Sequence, residues 1–187
     1  NHSDIAKRVI LKESKALSEL ADYISADFDN IVNYIINFKG RVILTGIGKS
    51  GYIANKIAAS FASTGTAAFY LHPAEASHGD LGMVTEHDLV IILSNSGETK
   101  ELFDIMNYCK RFSIKIVAMT MNANSTIGSN SDFLLLIPTI KEASYIAAPT
   151  TSAIMMLALG DALTTSVHES IGFSEEDFYL YHPGGKI

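Results

Sequence analysis

The sequence predicts a three-layer α/β domain, in which helices cover both faces of a five-stranded parallel sheet. Short apolar runs alternate with helical segments, and the runs are nearly continuous in Val, Ile and Leu. Strands that are buried on both faces of a parallel sheet have this continuous apolar character. Glycine-rich and hydroxyl-rich loops follow the runs, and such sheets bind ligands beyond the carboxyl ends of their strands.

The first part of the chain is predicted to be helical. Apolar residues recur at helical spacing over residues 4–26 and 28–38, and Gly40 is in the position of a C-terminal glycine. The period then changes to short apolar runs. Strands are predicted over residues 41–45, 67–71, 88–93, 114–120 and 132–137.

Helical segments separate the later strands and close the domain. They are predicted over residues 52–63, 98–111, 125–131 and 149–170, the last with Pro149 in its first turn. Repeats and linkers are not evident. We therefore predict a single domain over residues 1–187, made of N-terminal helices (1–38), an αβα core (41–171) and a C-terminal segment (172–187).

Composition excludes several classes of function. Fourteen basic and twenty acidic residues give a formal net charge of −6, which argues against nucleic-acid partners and anionic membrane surfaces. Cys109 is the only cysteine, so an internal disulfide is impossible and a reducing, cytoplasmic location is expected. The sequence shows neither a signal-peptide segment nor an apolar run of roughly 18 residues. We expect a cytoplasmic protein without a membrane partner.

The segment Ser-Asn-Ser-Gly-Glu-Thr, residues 94–99, directly follows the third predicted strand. Backbone N–H groups at a helix start attract anions, and hydroxyl groups add donors without filling the space that a phosphate needs. The segment therefore predicts a pocket for a phosphorylated small molecule. An ordinary strand-to-helix turn, capped by Ser or Thr, is the alternative.

The glycine-rich segment 46–51 follows the first predicted strand. It has one residue, rather than four, before Gly-Lys-Ser, so it is not a Walker loop. Its glycines match a dinucleotide fingerprint, but Glu75 comes late for the acidic ribose partner. What remains is a tight turn, a backbone open to close approach at Gly48, and the polar pair Lys49 and Ser50. Lys49 as a solvated surface lysine is the alternative.

Three further sites carry ionisable side chains. Residues 72–80 contain His72 and His78, whose spacing matches no standard zinc pattern, so we predict no metal. Glu142 lies in the loop after the fifth strand, either exposed or within reach of a bound sugar. His182 begins a terminal His-Pro-Gly-Gly segment that we expect to fray.

Six motifs together resemble the sugar isomerase (SIS) domain of D-arabinose 5-phosphate isomerases. In chain order they are residues 46–51, 72–80, 94–98, 148–152, 159–162 and 182–185. The resemblance covers nearly the whole chain and implies a flavodoxin-like SIS fold. It implies interconversion of D-ribulose 5-phosphate and D-arabinose 5-phosphate through a cis-enediol, without a cofactor, for Kdo synthesis in the lipopolysaccharide or capsule branch.

The resemblance also implies which residues act. It implies substrate binding by Gly48, Ser50, Ser94, Asn95, Ser96 and Thr99. It implies catalysis by Lys49, Glu101, Glu142 and His182, with His78 lining the same site. We expect Glu142 to be the base, with a pKa raised by burial, and His182 to open the ring or shuttle protons. Lys49 would stabilise the enediolate, and Glu101 would orient Lys49 or a hydroxyl.

The family resemblance implies a homo-oligomer, a dimer of dimers (a homotetramer), with sites at subunit junctions and a histidine supplied by a neighbour. CMP-Kdo would be a downstream ligand. Many family members continue into paired CBS domains, whereas this sequence stops at Ile187, so these domains are either absent or removed by truncation. The segment over residues 142–149 also differs from the usual Glu-Ala-Cys-Pro-Leu version.

Two other functions stay open from the sequence. One is an isomerase of another phosphosugar, such as a hexulose 6-phosphate. The other is a non-catalytic SIS module that senses a sugar phosphate or CMP-Kdo; Lys49, Glu101, Glu142 and His182 together favour an enzyme. A dinucleotide-dependent oxidoreductase is the weakest alternative, because its acidic ribose partner is poorly placed.

Overall fold

The computed structural model describes residues 1–185 and contains one sheet of five strands. These are β1 (Val42–Thr45), β2 (Ala68–Tyr70), β3 (Leu89–Leu93), β4 (Lys115–Thr120) and β5 (Phe133–Leu136). Their order is β2-β1-β3-β4-β5, and every neighbouring pair is parallel. The predicted five-stranded parallel sheet with flavodoxin-like strand order is confirmed. The last two residues of the predicted C-terminal segment, 186–187, lie outside the described residues.

Eight helices surround this sheet in the part of the chain that the structure describes. They are α1 (His2–Asp22), α2 (Ala26–Asn37), α3 (Lys49–Ser63), α4 (Pro73–Ala76), α5 (Phe103–Arg111), α6 (Thr126–Ser129), α7 (Thr151–Ser170) and α8 (Glu175–Tyr181). Two 3-10 turns occupy Asp80–Met83 and Lys100–Leu102. Within residues 1–185, no helix is both long enough and apolar enough to cross a bilayer.

The core has two halves, one on each face of the sheet. In β3, Leu89, Ile91 and Leu93 join the apolar cluster that packs under α1, α2, α3 and α7. Val90 and Ile92 join the opposite cluster, under α4, α5 and α6. Successive side chains of a strand point to opposite faces, so a strand covered on both faces is apolar throughout. This explains the continuous apolar runs.

The structure differs from the sequence-based expectation at Gly40 and at Pro149. Helix α2 ends at Asn37 with Phe38 as its cap, so the prediction that Gly40 ends the helix is wrong. A Cβ on Gly40 would lie 1.7 Å from the carbonyl oxygen of His87, which makes close backbone approach the reason for this glycine. Helix α7 begins at Thr151, so Pro149 precedes the helix instead of lying in its first turn.

The helix boundaries beside the two polar loops also differ from the predictions. Helix α3 begins at Lys49, three residues earlier than predicted, which shortens the glycine loop. The helix predicted from residue 98 begins as a 3-10 turn at Lys100 and becomes α-helical at Phe103. The amide of Glu98 donates to Ser96 Oγ at 3.1 Å, and this local turn delays the helix.

The strand order reverses between β1 and β3. Strand β1 pairs with β2 on one side and with β3 on the other, and Thr45 at its end is in register with Ile92. The chain therefore leaves two adjacent strands in diverging directions at the carboxyl edge. A crevice at such a position is the usual ligand site of an open α/β sheet. The loops at residues 46–48 and 94–99 border it.

Candidate active site

The loop after β3, residues 94–99, is folded tightly by its own hydrogen bonds. Ser94 is 2% exposed, and its Oγ lies 2.8 Å from Thr99 Oγ1. The amide of Gly97 donates to Ser94 Oγ at 3.1 Å. Gly97 has φ +69°, and a Cβ there would lie 1.9 Å from Ser125 Oγ. Only glycine fits this curl of backbone, and two hydroxyl groups are held together at its base.

Asn95 presents a free acceptor within this loop. Its backbone carbonyl accepts from Thr120 Oγ1 at 3.2 Å and from the amide of Met121 at 3.0 Å. Its side-chain Oδ1 is buried and has no hydrogen-bond partner among residues 1–185. Buried polar atoms in proteins are nearly always paired. A ligand hydroxyl is the kind of donor that this oxygen lacks, whereas the exposed Ser96 hydroxyl accepts from Glu98.

The loop after β1 leads directly into the N-terminus of α3. Gly48 is the N-cap residue with φ +60°, and a Cβ there would meet only open space. In the described part of the chain, no side chain caps this helix. The first-turn N–H groups of a helix lack intrahelical acceptors and attract anions. Lys49 is exposed beside them, and Ser50 is half-buried.

A cleft with a volume of about 350 Å³ opens beside this loop. It is lined by Gly48, Gly51, Tyr52, Asn55, Tyr70 and His72. The hydroxyl of Tyr70 donates to the carbonyl of Gly46 at 2.8 Å, which ties the end of β2 to the glycine loop. Burial is the main reason that the pKa of Tyr70 is raised. The cleft thus extends the crevice toward β2.

Glu142 is held by four donors at the start of α7. Its Oε2 accepts from the amide of Thr150 at 2.8 Å, from the hydroxyl of Thr150 at 3.0 Å and from the amide of Ser152 at 3.2 Å. Its Oε1 accepts from the hydroxyl of Ser152. The carboxylate therefore satisfies the N-terminal amides of a long helix, where negative charge is favourable.

The pKa of Glu142 is lowered, so the prediction that burial raises it is wrong. Burial is the largest single effect and does raise the pKa, but the hydrogen bonds from Ser152 and Thr150 together outweigh it. Donors to the ionised form stabilise the charge that burial disfavours. The hydrogen bonds therefore favour the ionised form of Glu142.

Helix α1 braces the loop that carries Glu142. Lys12 Nζ donates to the carbonyl of Glu142 at 2.6 Å, and Arg8 donates to the carbonyl of Ala143 at 2.8 Å. The amide of Ala143 in turn donates to Thr150 Oγ1 at 2.9 Å. Helix α1 holds the backbone of Glu142, and the start of α7 holds its carboxylate. The position of Glu142 therefore depends on both helices.

Helix α7 connects Glu142 to the glycine loop. Ser152, which donates to Glu142, and Met156 are four residues apart and share one face of the helix. Met156 Sδ lies 3.8 Å from Ser50 Oγ at the start of α3. Glu142 and Ser50 are therefore about one helical turn apart along α7. The structure brings Glu142 to the same edge as Lys49 and Ser50.

His78 and Glu101 lie on the other face of the sheet at this edge. His78 follows α4, is exposed, and places Nδ1 2.7 Å from the carbonyl of Ala74. Glu101 is exposed in the 3-10 turn that α4 contacts. Ser77 donates to Asp104 at 2.8 Å, which joins the two segments. Both side chains thus follow strands that end at the crevice.

His182 follows α8, whose last residue packs near the end of α3 that is remote from Lys49. It caps α8, which ends at Tyr181, and stacks on Phe178 with 3.8 Å between ring centres. Residues 182–185 lie beyond the helix, and the fraying of this segment stays a prediction. The neighbouring Tyr181 packs on Phe173, which in turn packs against Gly65. Gly65 lies just after the end of α3, whereas Lys49 begins this helix. A helix of 15 residues is about 22 Å long.

The family model of the SIS domain matches residues 35–166. This span includes the whole sheet, both polar loops and the start of α7. The chain belongs to the SIS domain family.

Relatives of this SIS domain are similar along its full length. An uncharacterized protein of Rickettsia prowazekii is 63% identical over 187 residues, which are 100% of this chain and 59% of that protein. A protein of Yersinia pestis named arabinose 5-phosphate isomerase is 46% identical over 182 residues, 97% of this chain and 56% of that protein. The chain thus spans a little over half the length of these curated relatives.

A solved structure provides a third comparison. It is a chain from Escherichia coli CFT073 in complex with arabinose 5-phosphate, 38% identical to this SIS domain. The match has a TM-score of 0.93 and covers 98% of this chain and 100% of that chain.

Sequence reasoning missed several residues that shape the site of this SIS domain. Thr150 and Ser152 lie in the motif at residues 148–152, and Thr and Ser directly before and within a helix start are a capping signal that could have identified them. The contact of Glu98 with Thr126 has no sequence signal, because the two residues lie 28 positions apart along the chain. Within residues 1–185, no three His, Cys, Asp or Glu side chains cluster to hold a metal ion.

Proposed function

We propose that this SIS domain is the catalytic domain of an aldose–ketose isomerase that interconverts D-ribulose 5-phosphate and D-arabinose 5-phosphate. The observation that carries the proposal is one sheet edge bearing both the hydroxyl loop at residues 94–99 and the hydrogen-bonded carboxyl group of Glu142. The name of the Yersinia pestis relative and the arabinose 5-phosphate in the Escherichia coli structure support this choice of substrate.

The phosphate of the substrate would bind between the two polar loops. Ser94, Ser96 and Thr99 supply hydroxyl donors, and the uncapped N-terminus of α3 supplies amides and the Ser50 hydroxyl. A phosphate dianion is favoured by such donors and by the positive end of the helix dipole. Anchoring the substrate away from its reacting carbons lowers the entropic cost of aligning them with Glu142.

The proton transfer would use Oε1 of Glu142. Each carboxylate oxygen has two lone-pair directions; Oε2 accepts three hydrogen bonds and Oε1 accepts one, so Oε1 retains a free acceptor position. In the forward reaction Glu142 removes a proton from C1 of ribulose 5-phosphate, the C–H electron pair forms the C1=C2 bond, and O2 gains a proton. The proton then returns to C2 while O1 loses its own, which yields the aldehyde.

Other side chains would manage the oxygen atoms. The lowered pKa of Glu142 makes it a weaker base, so stabilisation of the enediolate by the Lys49 ammonium gains importance. Glu101 would orient Lys49 or a substrate hydroxyl, and His78 would line the site from the α4 side. Asn95 Oδ1 would accept a hydrogen bond from a sugar hydroxyl. The proposal needs neither a metal nor an organic cofactor.

The proposal includes a homo-oligomer, a dimer of dimers, in which a neighbouring copy supplies His182. Its support is that Tyr181, next to His182, packs on Phe173 beside Gly65, which follows the end of α3, whereas Lys49 begins that helix. The finer elements of the proposal are one domain over residues 1–187, a cytoplasmic location, a place in Kdo synthesis, and CMP-Kdo as a downstream ligand. The buried, free Cys109 thiol is compatible with a reducing compartment.

One experiment tests the proposed activity. The purified chain is incubated with ribulose 5-phosphate in deuterated water, and the product is analysed by NMR. We expect arabinose 5-phosphate with deuterium at C2, because the abstracted proton exchanges with solvent at Glu142. Binding of the sugar phosphate without turnover would refute the isomerase and favour a sensor, whereas turnover of a hexulose 6-phosphate alone would assign another substrate.

A further inference from the structure

Glu98 is an exposed carboxylate in the middle of the hydroxyl loop, and both of its oxygens contact one residue of another loop. Oε1 accepts from the amide of Thr126 at 2.7 Å, and Oε2 accepts from the hydroxyl of Thr126 at 2.7 Å. Thr126 is the first residue of α6, the helix that follows β4. The carboxylate therefore bridges the loops that leave two adjacent strands.

The residues on either side of Thr126 also contact the hydroxyl loop, both of them at Gly97. The amide of Ile127 donates to the carbonyl of Gly97 at 3.0 Å. Gly97, with its positive φ, packs directly against Ser125, the cap of α6. Three successive residues of α6 and its cap thus hold two successive residues of the hydroxyl loop. The shape of the loop depends on a partner 28 residues away along the chain.

A carboxylate in a loop that binds a phosphate dianion needs an explanation, because like charges repel. Here both carboxylate oxygens are occupied by Thr126, and these hydrogen bonds lower the pKa of Glu98. Glu98 is therefore directed at α6, while the hydroxyl groups of Ser94 and Thr99 lie together at the base of the loop. The geometry separates the residue that holds the loop from those that would hold the phosphate.

We propose that Glu98 is a positioning residue, which keeps the hydroxyl loop in its phosphate-binding shape by bracing it against the start of α6. This inference rests on the proposed function, because it assigns Glu98 a role in binding the substrate's phosphate. Without the brace, the loop must be ordered when the ligand binds, which weakens binding. Glu98 has no contact with the reacting carbons in this scheme, so its loss leaves the chemical step unchanged.

Three variants and a control test the role. Glu98→Ala removes the brace. Glu98→Gln retains it, since the amide oxygen accepts from the Thr126 amide and the NH₂ group donates to the Thr126 hydroxyl. Thr126→Val removes the hydroxyl but keeps the backbone donor. Glu169→Ala removes an equally exposed carboxylate near the end of α7, remote from the loop.

Steady-state kinetics with ribulose 5-phosphate give the main readout. We expect Glu98→Ala to raise KM roughly ten-fold with kcat within about two-fold of the parent protein. Thr126→Val raises KM less, and both Glu98→Gln and Glu169→Ala leave it near the parent value. The concentration of inorganic phosphate that halves activity should rise in parallel with KM.

The result that overturns the inference is a Glu98→Ala protein with unchanged KM, even if its melting temperature falls, because that describes a purely structural contact. A Glu98→Gln protein as impaired as Glu98→Ala also overturns it, since charge and not the brace would then matter. If the parent protein has no isomerase activity, the proposed function fails separately. Calorimetric titration with arabinose 5-phosphate then decides the brace, by weaker binding to Glu98→Ala or equal binding to both proteins.

Discussion

The carboxylate of Glu142 accepts a hydrogen bond from the hydroxyl of Ser152, ten residues further along the chain, in the first turn of α7. The same carboxylate also accepts from the Ser152 amide at 3.2 Å. Glu142 thereby accepts from amides at the N-terminus of a 20-residue helix whose Met156 contacts Ser50 of the glycine loop. The residue that we propose as the base is thus also part of the packing of the fold.

Replacement of Glu142 by Gln tests that role. The amide oxygen can accept the three hydrogen bonds now made to Oε2, so the fold should survive with a loss of about 1–2 kcal/mol in the free energy of unfolding. A neutral amide does not accept the proton, so kcat should fall at least ~100-fold. Turnover and thermal unfolding are measured together, with Glu169→Gln as control. A folded variant with near-normal kcat would exclude Glu142 as the base.

Replacement of Ser152 by Ala should shift the pH dependence of activity. The hydroxyl of Ser152 is the strongest of the contacts that lower the pKa of Glu142, while burial raises it. Without this hydroxyl, fewer hydrogen bonds oppose the effect of burial, so the pKa of Glu142 rises. Because the base must be ionised, the acidic limb of kcat/KM moves to higher pH.

The same change has a predictable sign for stability. A carboxyl group with a lowered pKa contributes stability above its ordinary pKa of about 4.5, and that contribution disappears as the pH falls through the lowered value. Ser152→Ala should therefore lose stability at neutral pH and lose less of it on acidification. Ser166→Ala, on the same helix, is the control. An acidic limb at the same pH in both variants would show that Glu142 is not the titrating base.

Two glycines with the same backbone angle separate strain from packing. Gly97 and Gly172 have φ of +69° and +68°, but only Gly97 lies against another residue, Ser125. Gly172→Ala should lower the free energy of unfolding by about 1 kcal/mol, the cost of a positive φ alone. Gly97→Ala should cost about 2–3 kcal/mol and also raise KM, because the loop shifts away from Ser125. Equal effects of the two changes on stability and KM would contradict the packing of Gly97.

A mixed oligomer tests whether His182 acts in a neighbouring copy. Lys49→Ala and His182→Ala chains, each expected to be inactive, are co-expressed with different tags. If each site combines Lys49 of one copy with His182 of another, half of the random dimers contain one intact site, and the mixture regains about a quarter of the parent activity. Activity that stays at the level of the single variants would place both residues in a site within one chain.

The strands of this protein are determined by local sequence. Each predicted run contains its observed strand within one or two residues, because a strand buried on both faces must be apolar throughout. The hydroxyl loop at residues 94–99 is also predictable from the sequence, since Ser and Thr side chains are hydrogen-bond donors in any fold. Gly40 shows the limit, because its reason is the carbonyl of His87, 47 residues away.

Only the tertiary structure decided how the ionisable groups behave. The pKa of Glu142 depends on two opposing effects: burial raises it, and hydrogen bonds from Ser152 and Thr150 lower it. Residue type alone does not reveal which effect is larger. The partner of Glu98 and the distance between His182 and Lys49 likewise depend on how α6, α3 and α8 pack. Local sequence patterns determine the helices and strands. The pKa values of side chains and the distances between them depend on atoms that folding brings together from distant positions in the chain.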